Sequence, residues 1–284
     1  MQSDRRITKT KPSAIFHFTM KVHGRSGGAC AVRLAAYRAG ERIHSKLTGR
    51  THNYRRKTEV AWREVLTPPD APSWMRERSA LWNATDLAET RKDAQLAREI
   101  EVALPLALDL PQQVDLLRTW IGEELVGRGM IVDACLHAKA GNPHCHILMT
   151  LRAISSDGFG NKVREWNNPI LATELRESWA RAVNHSLERS GFDFRVDHRS
   201  YAAQGSDRIP TLHVGRPGPI NRQRAGEKAR ANAAIAATRH QPPPAPTPPP
   251  SLATPLTKHR RRSRPAHAPV TIVPVAGWGP GPSL

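Results

Sequence analysis

The sequence predicts an α+β fold: an antiparallel sheet with helices packed on one face, the other face left open for a polar site, and a disordered, basic, proline-rich C-terminal tail. Three observations carry this. Four segments alternate apolar and polar residues with period two, as half-buried strands do. Between them lie stretches with apolar residues three and four apart, the helical spacing. After about residue 215 the composition turns to proline, alanine and arginine.

The first strand covers Ala14 to Lys21, with Phe16, Phe18 and Met20 on one face and His17, Thr19 and Lys21 on the other. A helix is expected from Gly27 to Ala39, N-capped by Ser26 and stopped by Gly40. A second is expected from Trp74 to Ala97. Next, a strand over Ala97–Leu104 sends Ile100, Val102 and Leu104 inward and Glu99 and Glu101 outward. Pro111 suits the first turn of a helix running to Gly127, whose stripe is Val114, Leu117, Ile121 and Leu125. Two strands follow, Met130–His137 and His144–Thr150, joined by a six-residue loop with turn signals at Gly141 and Asn142-Pro143. The last helix spans Ala172 to Arg189 and carries Leu175, Trp179, Val183 and Leu187 inward.

Of the 284 residues, 43 are Lys or Arg and 25 are Asp or Glu, a formal net charge of +18, so a polyanion, nucleic acid first, is the expected partner. Three cysteines form no disulfide framework and fit a reducing cytoplasm. No apolar run approaches a membrane span, and the opening residues lack a signal peptide's apolar stretch. From Arg216 to Leu284 there are eleven Lys/Arg against one acid, and fifteen of the 24 prolines. This segment buries too little apolar surface to order, apart from a short alanine-rich helix over 227–237. The division is therefore a flexible leader (1–13), a folded domain (14–215) and a disordered tail (216–284), read either as a solubilising linker or as a phosphate-binding arm.

His144 and His146 are two apart on one strand and share a face; the hairpin returns His137 beside them. Three imidazoles with open positions are a metal-binding arrangement. Glu99 and Glu101 lie on the same face. A carboxylate there either fixes a histidine tautomer or is a solvated strand position. Cys145 points to the core as packing. Tyr37 lies on the first helix among Ala35, Ala36 and Ala39, one turn after Arg33. By composition alone it reads as a core or rim aromatic, because a free phenol needs a neighbouring base or cation to act as a nucleophile.

The chain resembles the MobA/MobL family of plasmid mobilisation relaxases, within the HUH endonucleases. The resemblance rests on Ala14–Lys21, Arg25–Gly28, Ala35-Ala-Tyr-Arg-Ala-Gly40, Leu81-Trp-Asn83, Arg91–Ala94, Ala97–Pro105, His137 with Asn142-Pro-His-Cys-His146, Arg164–Asn167 and Asp197–Ser200, in family order over about 14–215. It implies Tyr37 as the nucleophile and His137, His144 and His146 as ligands of a divalent ion, Mg²⁺ or Mn²⁺. It also implies Glu99 and Glu101 as the acidic pair of the site. The implied activity is nicking one strand at a plasmid origin of transfer through a 5′-phosphotyrosyl link, and resealing it. The tyrosine precedes the histidines, as in relaxases, whereas in replication initiators it follows them. His17, Lys21, Arg25 and Arg33 are the expected contacts to single-stranded DNA. Tyr54, in the basic stretch 53–57, is taken as a loop or DNA-contact residue. Mobilisation accessory proteins and a conjugative coupling protein are the implied partners, in a bacterial cytoplasm. The long C-terminal primase or helicase regions of larger relatives are not in this sequence, which implies a minimal or truncated enzyme. A non-catalytic DNA-binding accessory protein and a rolling-circle initiator are the alternatives.

Overall fold

A computed structural model describes residues 16–212, 214–215, 218–219 and 221–239. The leader 1–13 and most of the tail lie outside the described residues. The central sheet has five antiparallel strands: β1 (Phe18–Gly24), β4 (Val60–Leu66), β5 (Gln95–Ala103), β6 (Val132–Lys139) and β7 (Asn142–Met149), in the order β1-β5-β7-β6-β4. Between β1 and β4 run helix α1 (Ala31–Ala39) and a small hairpin of β2 (Arg42–His44) and β3 (Thr51–Asn53). Helix α2 (Arg78–Ala88) precedes β5, and α3 (Leu110–Glu124) precedes β6. A second hairpin, β8 (Arg152–Ser155) with β9 (Gly158–Lys162), leads to α4 (Pro169–Arg189).

The period-two readings hold for the central strands. Ile100, Val102, Val132, Ala134, Leu136, Cys145, Ile147 and Met149 form one buried face with Phe18. Helices α3 and α4 cover it through Leu117, Trp120, Ile121, Trp179 and Val183. Trp120 and Trp179 meet edge to face at 5.1 Å, and Trp120 Nε1 donates to Ser178 Oγ at 2.9 Å. Truncating a buried aromatic of this size to alanine costs about 3–5 kcal/mol.

The second face is open only in part. α1 and α2 pack over it, with Val32, Ala35, Ala36, Leu81 and Trp82 against Ala97 and Leu148. Small residues on α1 allow the close approach, and a buried polar lock fixes α2. Arg78 makes a forked pair with Asp133 (2.8–3.0 Å), and Trp82 Nε1 donates to the same carboxylate at 2.8 Å. Asp133, Cys135 and His137, whose side chains lie on this second face, are therefore buried beneath helices.

Several boundaries differ from expectation. α1 starts at Ala31, with Cys30 at the N-cap position and no cap bond from its side chain; Ser26 lies in a preceding single turn of 3₁₀ helix. Asp86 of α2 does the capping, accepting from Ala31 N at 3.0 Å and Val32 N at 3.2 Å. The helix expected over 74–97 is a short 3₁₀ turn followed by α2, because Glu77 is extended between them and the chain leaves the helix at Glu89. The β6–β7 loop is only Ala140-Gly141, with Gly141 at φ 71°, so the hairpin is tighter than the six residues expected. Strands β2, β3, β4, β8 and β9 were not expected. In the tail, the described helix α5 (Arg222–Arg239) is longer than the one expected over 227–237. The backbone divides after Arg208, and in the second unit Asn232 hydrogen-bonds both backbone groups of Leu212.

Candidate active site

Pairing of β6 with β7 sets His137 opposite His144, and Cys135 opposite His146. The three imidazoles share one face, with ring centroids 4.8–5.2 Å apart and a ligand atom from each within 4.8 Å of the others. Each ring is anchored through one nitrogen. His137 Nε2 lies 2.7 Å from the Arg38 carbonyl, His144 Nδ1 is 2.9 Å from the Asn142 carbonyl, and His146 Nδ1 is 2.8 Å from Glu99 Oε1. A carbonyl or carboxylate only accepts, so each anchored nitrogen carries the proton. The lone pairs left are those of His137 Nδ1, His144 Nε2 and His146 Nε2. That is the donor set and the outer bonding of a histidine metal centre. Burial pushes His137 down to about 4; the Arg38 carbonyl opposes this, and Lys57, His146 and His144 reinforce it. A neutral imidazole is the ligating form.

Glu99 is the organising acid. It is buried, and besides His146 it accepts from His23 Nε2 at 2.6 Å and from Arg38 Nε at 2.6 Å. Burial alone would raise its carboxyl, but the bonds from His146, His23 and Arg38 outweigh that and hold it far below the usual carboxylate range. Glu101, opposite His146 in the β5–β7 register, instead pairs with Lys21 at 3.6 Å. Arg38, His23 and Asp86 were missed in the sequence. Following the alternation of β1 two residues past Lys21 would have put His23 on the same face as Glu99; nothing local marks Asp86.

α1 carries Tyr37 one residue before Arg38, which touches this cluster. Arg38 holds His137 with its carbonyl and Glu99 with its guanidinium. Tyr37 is on the outer stripe of the helix, 48% exposed. Lys57 Nζ sits 4.0 Å from its ring centroid, and Tyr54 packs edge-on at 5.2 Å. Gly40 closes α1 at φ 64°, and a Cβ there would lie 3.2 Å from Val60 Cγ2. That close approach seats the 54–60 segment beside the helix end. A cavity of about 490 Å³ opens beside it, lined by Asn53, Tyr54, Arg56, Lys57 and Glu59.

The expected DNA contacts are dispersed around this centre. His17 is exposed and within electrostatic reach of His144 and Glu101. Lys21 is exposed on the same strand face. Arg25 is half-buried and donates to the carbonyls of Asp86 and Glu89, both at 2.9 Å, so it also pins the chain before α1 to the end of α2. Arg33 is exposed on the stripe of α1 that carries Tyr37. With Arg25, Cys30, Thr48, Arg50 and His52 it lines a cavity of about 400 Å³ that holds no carboxylate among its lining residues.

The profile of the MobA/MobL family matches residues 29–223. The conjugal transfer protein TraA of Agrobacterium fabrum is 35% identical over 233 residues, a match covering 71% of this chain and 21% of TraA. The mobilization protein MobL of Acidithiobacillus ferridurans is 32% identical over 253 residues, covering 76% of this chain and 66% of MobL. A solved structure described as the molecular basis of vancomycin resistance transfer in Staphylococcus aureus superposes with a TM-score of 0.63 at 32% identity, over 66% of this chain and all of the other. The chain thus spans about a fifth of the length of the TraA relative and about two thirds of MobL.

Proposed function

The chain belongs to the MobA/MobL family, and from that premise we propose that it is a relaxase that nicks one DNA strand at a plasmid origin of transfer and later reseals it. One observation carries the reading: three histidines with their lone pairs left free by outer hydrogen bonds, joined through Arg38 to the helix that presents Tyr37.

His137, His144 and His146 would hold a divalent ion, Mg²⁺ or Mn²⁺, whose positive charge offsets that growing on a phosphate oxygen. Glu99 fixes the His146 tautomer and, through Arg38, the end of α1. Tyr37 Oη forms the bond to phosphorus while the P–O3′ bond breaks. The phenol proton leaves to solvent, and the departing oxygen takes one up as a 3′ hydroxyl. One ester replaces another, so the reverse step needs no ATP. His17, Lys21, Arg25 and Arg33 contact the phosphates of the single strand. Mobilisation accessory proteins and a coupling protein, in the bacterial cytoplasm, complete the proposed setting.

The test is supercoiled plasmid carrying the cognate transfer origin, incubated with Mg²⁺ or Mn²⁺ and quenched with SDS and protease. The expected product is nicked circle with a peptide on its 5′ end, which mass spectrometry assigns to Tyr37. Tyr37→Phe is expected to give no adduct, and His144→Ala to lose metal affinity. Nicking by Tyr37→Phe at the wild-type rate refutes the nucleophile assignment, and binding without any cleavage favours an accessory protein.

A further inference from the structure

We propose that Lys57 is a positioning residue of the transfer step: its ammonium holds the Tyr37 ring in its attacking orientation and supplies a fixed positive charge beside the phosphate as the ring becomes esterified. This rests on the reading of Tyr37 as nucleophile.

The geometry is specific. Lys57 and Tyr54 belong to one tight turn, closed by Lys57 N donating to the Tyr54 carbonyl at 3.0 Å. From that turn the ammonium lies 4.0 Å from the Tyr37 centroid, and the Tyr54 ring meets Tyr37 at an interplanar angle of 88°. A ring that is half exposed is thereby held from two directions. The Lys57 side chain is only 14% exposed, unusual for lysine, and its acidic partner among the described residues, Glu59, is 3.5 Å away and itself 40% exposed. A cation over an aromatic ring is stronger when partly desolvated. The same segment reaches the metal-ligand side. Ala138 N donates to the Glu59 carbonyl at 2.8 Å, and Val60 pairs with His137. The half-buried Lys57 thus sits against Tyr37 on a segment that also pairs with the strand of His137. Gly40, at φ 64°, permits the close approach of this segment at Val60, where an added Cβ would lie 3.2 Å from Cγ2.

A merely structural lysine would serve only to pack α1 against the β3–β4 turn, so the test reads ring order and turnover separately. The full chain is labelled with ring-¹³C tyrosine, Tyr37 being assigned by its loss in Tyr37→Phe. Adduct formation is followed on a single-stranded oligonucleotide spanning the nick mapped on the plasmid. Lys57→Met is expected to shift the Tyr37 ring resonance and to lower turnover by about tenfold, with KM for the oligonucleotide within about twofold. Lys57→Arg, which also stacks on rings, is expected to restore most of both. Should the methionine variant not fold, as judged by circular dichroism, Lys57→Gln takes its place with the same expectations. Wild-type turnover in the uncharged variant, or a folded Lys57→Arg as slow as it, overturns the proposal. If Tyr37→Phe forms adduct normally, the nucleophile reading itself has failed; if it is inert while Lys57→Met is fast, only the role of Lys57 has.

Discussion

Glu99 and Glu101 stand two apart on one strand, both facing the histidines, and residue type and spacing alone do not separate them. Their partners do. Glu99 is enclosed by His146, His23 and Arg38, whereas Glu101 faces Lys21 across β1. An acid that fixes a metal-ligand tautomer typically changes metal affinity by 10–100-fold when removed. Glu99→Gln is therefore expected to weaken Mn²⁺ binding by about tenfold or more, and Glu101→Gln to leave it within about twofold. Isothermal titration of the two variants decides this. Equal losses would mean that both carboxylates serve the cation. The histidine trio was legible because residue type, period and hairpin geometry are local, whereas Tyr37 was singled out only by the family resemblance. Arg38, His23 and Lys57 were not legible, because their partners lie 61, 76 and 20 residues away in the chain.

Elements explain how a nine-residue helix is held in place to present Tyr37. α1 is short, and short helices are marginal unless tertiary contacts hold them. Its N-terminus is capped from another helix by Asp86, and its C-terminal turn is held by Glu99 on β5. Asp86 is buried, and besides the two amides of α1 its carboxylate accepts from Cys30 Sγ at 3.3 Å and lies 3.8 Å from Arg25. Asp86→Ala leaves those amides without an acceptor, at a cost of about 2–3 kcal/mol by the scale of lost caps and unpaired buried donors. Urea denaturation gives that figure; a loss under about 0.5 kcal/mol would mean solvent replaces the cap. The sequence marked where α1 ends, at Gly40, better than where it begins. A C-cap glycine is a local device, whereas a cap borrowed from 55 residues away is not. β2 and β3 escaped notice because three residues hold too little periodicity to register. β4 escaped because a bulge between Val60 and Trp62 interrupts its alternation.

At the scale of the whole domain, the two sheet faces do different work. α3 and α4 make an apolar core on one face, while the other packs helices over ionised and imidazole groups: Asp133, Glu99 and His137. Predicting one covered face and one open face caught the chemistry of the second face but not its burial, since alternation reports polarity and not what lies above it. That burial couples protonation to folding. His137 titrates near 4 when folded against 6.5 as an ordinary histidine, so between those values the unfolded chain binds more protons and stability falls as pH falls. Glu99, held far below its ordinary 4.5, adds a further loss below that pH, in the same direction. Above 6.5 neither contributes a slope. For the metal-free protein, held in chelator, the unfolding free energy is thus expected to be flat above pH 6.5. It should then decline toward pH 4, by on the order of 2–3 kcal/mol from His137. His137→Gln keeps a donor for the Arg38 carbonyl but cannot titrate. Its unfolding free energy should fall less over this range, the remaining slope coming from His17 and His52, which burial also lowers. Guanidinium melts of the two proteins across this range measure the difference, and parallel curves would mean that His137 is charged in the folded state, contrary to its place beneath α1.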